Sequence, residues 1–139
     1  MSLINPSETM IKYMLTQGTS LGVGSRISGK NQFGDVWKKG ETYLVVRLDD
    51  AELSNDVPLH ASRFEVRIYG ASQAVILGVW VELLAIFRDV NRNVVVTDSG
   101  DALLHSVLQS SGPSLLYDDE IEMDYLMQFF TAIVGDSSL

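Results

Sequence analysis

Residues 63–89 read RFEVRIYGASQAVILGVWVELLAIFRD, and the hydrophobic period changes in the middle of the stretch. From His60 to Tyr69 the residues alternate, with Phe64, Val66 and Ile68 on one side and Arg63, Glu65, Arg67 and Tyr69 on the other. A period of two marks a half-buried antiparallel strand. Gly70 breaks the strand, Ser72 offers a capping hydroxyl, and the following residues predict a helix from Gln73 to about Asp89. Its apolar residues Val75, Ile76, Leu77, Val79, Trp80, Val81, Leu83, Leu84, Ile86 and Phe87 cover nearly the whole circumference, so the helix must be covered all round. One side can lie on a sheet. The remainder of a 139-residue chain is too small to cover the other, so a neighbouring subunit is expected there, with Val79, Trp80, Leu83 and Phe87 as candidate contacts.

Upstream, Asn5-Pro6-Ser7-Glu8 is a helix start: Asn5 caps, Pro6 suits the first turn and Glu8 stands in capping-box position. Ile11, Met14 and Leu15 share a helical face up to about Gln17, with Gly18 as terminator. Residues 19–41 are rich in Gly, Ser, Asn and Lys and read as a long loop whose aromatic residues are Phe33 and Trp37. Loops of that length inside a domain usually serve a partner or a function. Thr42–Asp49 predicts a strand, with Leu44, Val46 and Leu48 on one face and Tyr43, Val45 and Arg47 on the other. Asp50–Pro58 connects it to the strand at His60, with which it should pair.

Downstream, Asn91–Thr97 is a turn and a short apolar run, and Ala102–Gln109 is a strand for which a helical reading also fits. Ser110-Ser111-Gly112-Pro113 is a turn, after which Leu115–Asp119 and Glu122–Val134 read as extended. The last segment is apolar on both faces for most of its length and so belongs in the middle of a sheet or under cover on both sides. The fold class expected is α+β: one domain over residues 1–139, mostly an antiparallel sheet packed against a long apolar helix and an N-terminal helix.

With 46% hydrophobic and 20% charged residues the composition is that of a globular chain. The absence of cysteine excludes disulfides, thiolate metal sites and cysteine nucleophiles. The N-terminal residues do not read as a signal peptide, and Ala74–Phe87 is too short, and with Glu82 too polar, to span a bilayer, so a cytoplasmic site of folding and no membrane are expected. The net charge is −8: residues 19–40 carry +3, from Arg26, Lys30, Lys38 and Lys39 against Asp35, and residues 41–139 carry −11. Such acidity opposes sequence-independent binding to nucleic acid. Only the basic loop stands apart, and Arg26, Lys30, Phe33, Trp37, Lys38 and Lys39 form a candidate partner interface.

Signatures of chemistry are missing. Gly22-Val23-Gly24 follows a helix and leads into loop, where a dinucleotide fingerprint needs a strand before and a helix after; Gly29-Lys30 continues with Asn31, not the Ser or Thr of a phosphate loop. His60 and His105 are isolated, and no Gly-x-Ser-x-Gly elbow occurs. Asp118, Asp119, Glu120 and Glu122, followed by Asp124, form the densest acidic cluster; its spacing is not that of a calcium loop, and a solvated or lumen-facing edge is expected. No catalytic residue, cofactor or metal is expected.

The order of elements resembles the tail-terminator (tail-completion) family of long-tailed bacteriophages over nearly the entire chain. The residues that carry the resemblance are Val23-Gly24-Ser25-Arg26-Ile27, Tyr43-Leu44-Val45-Val46-Arg47-Leu48, Arg63 through Ser72 as strand into helix, and Asp124-Tyr125-Leu126-Met127-Gln128-Phe129. One departure is Trp37-Lys38-Lys39-Gly40-Glu41, where many relatives have a proline-rich approach to the first strand. The resemblance implies a non-enzymatic virion protein of the tail or neck, assembled in the host cytoplasm. It would form a hexameric ring that caps the tail tube protein, ends its polymerisation and joins it to the head-completion or stopper protein, while DNA passes through the lumen without specific binding. Another head-tail connector or a tail-tube subunit remains the nearest alternative. A hydrolase using a metal held by Asp118–Asp124 and His105 is a more distant one.

Overall fold

The structure is a computed structural model that describes residues 5–29, 38, 40–53, 59–98 and 100–136, without the side chains of 50–53, 59, 60 and 136. Its elements are α1 (Pro6–Thr16), α2 (Gly18–Leu21), β1 (Ile27–Ser28), β2 (Tyr43–Leu53), β3 (Leu59–Gly70), α3 (Gln73–Arg88), β4 (Asn93–Thr97), β5 (Gly100–Gln109), β6 (Ser114–Asp118) and β7 (Met123–Asp136). The strands form one sheet in the order β1-β2-β3-β7-β5-β4, with β6 also against β7. Among the described residues only the short β1–β2 pair is parallel.

The sheet is organised around β7. It pairs with β3 from Leu59↔Gly135 to Gly70↔Asp124, and its other side pairs with β5 near the C-terminal end and β6 near the start. Its even-numbered residues Leu126, Gln128, Phe130, Ala132 and Val134 are buried, and Tyr125, Met127, Phe129 and Ile133 on the reverse are half-buried. A strand apolar on both faces needs neighbours on both sides, and here it has them.

The main core lies between the sheet and the helices. Leu44, Val46, Phe64, Val66, Ile68, Leu126 and Phe130 meet Met10 and Met14 of α1 and Ile76, Val79, Leu83 and Phe87 of α3. Phe87 and Phe130 pack edge to face with ring centroids 4.8 Å apart, the arrangement their quadrupoles favour. On the reverse face Tyr43, Val45, Tyr69 and Met123 form a smaller cluster joined by Ile121 and Tyr125.

Both helix starts form as their residues dictate: Asn5 Oδ1 accepts from the Glu8 amide at 3.2 Å, and Ser72 Oγ from the Val75 amide at 3.3 Å. Four expectations need correction. The helix α3 is not long: 16 residues rise about 24 Å, against about 48 Å for the 14 residues of β7, so it covers only part of the sheet. Residues 19–41 are not wholly loop, because α2 reaches into them and β1 pairs with Leu44 and Val45. Gly18 does not terminate α1; it starts α2 against the Gly24 carbonyl, where a Cβ would lie 1.9 Å from the oxygen. The strand from Tyr43 runs on to Leu53, and Leu48, which pairs with Phe64 in the same register as Leu44 with Ile68 and Val46 with Val66, is exposed where those two are buried.

Candidate subunit interface

The helix α3 shows the chain's own packing most directly. Val79, Leu83 and Phe87, expected to meet a second subunit, are buried against the sheet, and Trp80 is half-buried with its indole N–H donating to Gln128 Oε1 at 2.6 Å. These four therefore hold the chain's own fold. The far side carries Ala74, Leu77, Gly78, Val81 and Ala85, spaced three or four residues apart and all exposed, with Val75 on the flank; Val81 is 57% accessible. An apolar stripe of that spacing in solvent is a candidate surface for another polypeptide.

Two strand edges on one side of the sheet are also apolar. In β4 Val94 and Val96 are exposed, the latter at 72%, and the strand lacks the Pro, Lys or bulge that usually blunts a free edge. An open cleft of about 500 Å³ runs between this strand and Lys12, Tyr13 and Leu15 of α1. The helix is held there by an ion pair from Lys12 to Asp98 at 3.7 Å and by the Asp98 amide donating to Glu8 Oε1 at 2.5 Å. In β6 Leu115, Leu116 and Tyr117 are all exposed, and Leu108 of β5 stands near them at 63%.

The turn after β6 holds the acidic cluster. Asp119, Glu120 and Glu122 are exposed and Asp118 is half-buried, its carboxylate accepting from the Glu120 amide at 2.9 Å. Glu122 adopts a left-handed conformation with φ 52°. Among the described residues no three His, Asp or Glu side chains converge as a metal site requires. His105 is exposed, with Nδ1 3.4 Å from Ser106 Oγ, and the His60 side chain lies outside the described residues.

Of the basic candidates, Arg26 is engaged internally: it donates to the Thr42 carbonyl at 2.9 Å and the Gly22 carbonyl at 3.2 Å and lies 3.9 Å from Glu41. Lys38 is exposed, its backbone amide donating to the Tyr43 hydroxyl at 2.7 Å, whereas Lys30, Phe33, Trp37 and Lys39 lie outside the described residues.

The reverse face of the sheet is held by cations laid over aromatic rings. Arg63 lies 4.3 Å from the Phe129 ring centre and Arg67 5.2 Å from that of Tyr125, which stacks on Tyr69 at 5.0 Å. Burial opposes the Arg67 charge, but hydrogen bonds to Tyr69 and Glu65 outweigh it and bind the proton more firmly than usual. Burial also pushes the Tyr69 hydroxyl up, against the pull of Arg67. Arg67 donates to the Tyr69 hydroxyl at 3.3 Å.

The exposed positions were missed in the sequence because both sides of the Gln73–Arg88 helix are apolar and periodicity cannot say which meets the sheet. A usable signal was residue size, since Ala74, Gly78 and Ala85 cluster on the exposed side. No helix among the described residues is long and apolar enough to cross a membrane.

The α+β arrangement, a curled mixed sheet with helices on one face, defines the class of fold. Neither a protein-family model nor a curated protein matches the sequence. Among solved structures, the fold is similar to a chain of a structure described as the virion of a native gene transfer agent particle, with a TM-score of 0.52 and 13% identity over 93% of this chain and 95% of that one.

Proposed function

We propose that the chain is a non-enzymatic structural subunit of a phage-like virion, and specifically a tail terminator: a ring that caps the tail tube, ends its growth and presents its other side to the head-completion proteins. The observation that supports this best is the likeness of fold, which runs through nearly the full length of both this chain and a component of a gene transfer agent virion. The tail-terminator resemblance of the sequence points the same way.

The surface fits the role. The Ala74–Ala85 stripe of α3 and the apolar edges of β4 and β6 are more than one folded chain needs to leave open, and a ring supplies cover by repeating one contact until it closes. A chain of net charge −8 also suits the wall of a DNA channel, since negative walls repel phosphate and let the duplex pass. A tail-tube subunit would polymerise without limit, whereas a terminator stops the process.

The test is tube growth in vitro with tail-tube protein from the same genome. Added in slight excess, the purified protein should arrest elongation and appear at one end of each tube. Tubes that grow on unchanged, or that incorporate it along their length, would refute the terminator reading.

A further inference from the structure

We infer that the free chain pairs with a second copy of itself through the outer edge of β4, the two strands running antiparallel about a two-fold axis at Val95. The inference does not rest on the terminator reading. A two-fold contact closes at two copies, so it is not the contact that would build a ring.

The edge lies within the described residues. β4 ends the sheet and among those residues pairs with β5 alone, from Asn93↔Leu104 to Thr97↔Gly100. The outer backbone groups of such a strand are a template for another strand. The cleft beside it, walled by Lys12, Leu15 and Thr16 of α1, leaves room along its length.

The charges at the two ends of β4 say what that strand is. Arg88, Asp89 and Arg92 stand before it, a net +1. Asp98 and Asp101 follow it, and Glu8 and Lys12 of α1 lie against Asp98, so those four side chains make the far end −2. A strand with ends of opposite sign complements a copy of itself when the two run antiparallel. With Val95 opposite Val95 all five residues overlap: Asn93 faces Thr97, Val94 faces Val96, and at both ends Arg92 of one copy stands opposite Asp98 of the other. Val94 and Val96 are exposed on one face of the strand, at 59% and 72%, and each covers the other across the junction. A parallel pair in register would set Arg92 beside Arg92 and Asp98 beside Asp98, which like charges oppose.

Sedimentation of the purified full chain over a concentration series tests the pairing. The parental protein should dimerise reversibly. Val96→Lys places a charge on the edge at an exposed position, so it should abolish the dimer and leave the melting temperature close to that of the parent. Arg92→Glu alone and Asp98→Arg alone set like charges opposite each other at both ends, and each should raise the dissociation constant about tenfold or more. The double variant exchanges the two signs within every strand and should dimerise like the parent again. A parental chain that stays monomeric at its highest soluble concentration, an assembly that Val96→Lys does not weaken, or a double variant as weak as the single ones would overturn the pairing. No tail tube enters the experiment, so the terminator reading stands or falls separately.

Discussion

Gln128 is the residue on which the interior turns. It is 1% exposed in the middle of β7, accepts from the Trp80 indole at 2.6 Å and donates to the Ser111 carbonyl at 2.7 Å, so it ties α3 to the turn that leads into β6. A buried amide is tolerated only when its bonds are made. Gln128→Met keeps the volume and removes both bonds, leaving the indole N–H and the carbonyl without their partner. The expected cost is about 1–3 kcal/mol in urea unfolding, with a change in the Trp80 near-ultraviolet signal. An unchanged midpoint would mean that water replaces both bonds freely. In the sequence Gln128 was legible only as a polar interruption of an apolar face; nothing in the strand pattern shows that its partners are 48 and 17 residues away.

At the scale of elements, what was legible followed from local rules. The caps at Asn5 and Ser72, the break at Gly70 and the alternation of Phe64, Val66 and Ile68 concern neighbours in sequence, and the structure has them in place. The strand reading of Ala102–Gln109 also holds, as part of β5. Positions settled by distant contacts were not legible. α2 packs Gly18 on Gly24, and Leu48 is left exposed although it keeps the register of the buried Leu44 and Val46; both answer to tertiary neighbours. The orientation of α3 is the costliest miss, since it reversed the candidate contact residues. It yields a clear contrast in the free chain. Leu83→Ala should lower unfolding free energy by about 2–5 kcal/mol, because a fully buried side chain leaves a cavity. Val81→Ser should change it by no more than about 0.5 kcal/mol while weakening assembly. Equal effects of the two on stability would mean that α3 is rotated from the orientation described.

For the whole molecule, charge is uneven along the chain, with every Lys and Arg in residues 1–92, and α3 carries an apolar outer stripe. The exposed stripe was legible as a surplus of apolar residues but not as a place, because a surplus shows in composition while its location depends on the fold. The most direct measurement is the structure, by cryo-electron microscopy, of a tail tube capped with this protein. It should show one closed ring at the tube end, with the Ala74–Ala85 stripe of each copy covered by an adjacent subunit. A lone copy at the tube end, or a ring that leaves the stripe in solvent on every copy, would contradict the account.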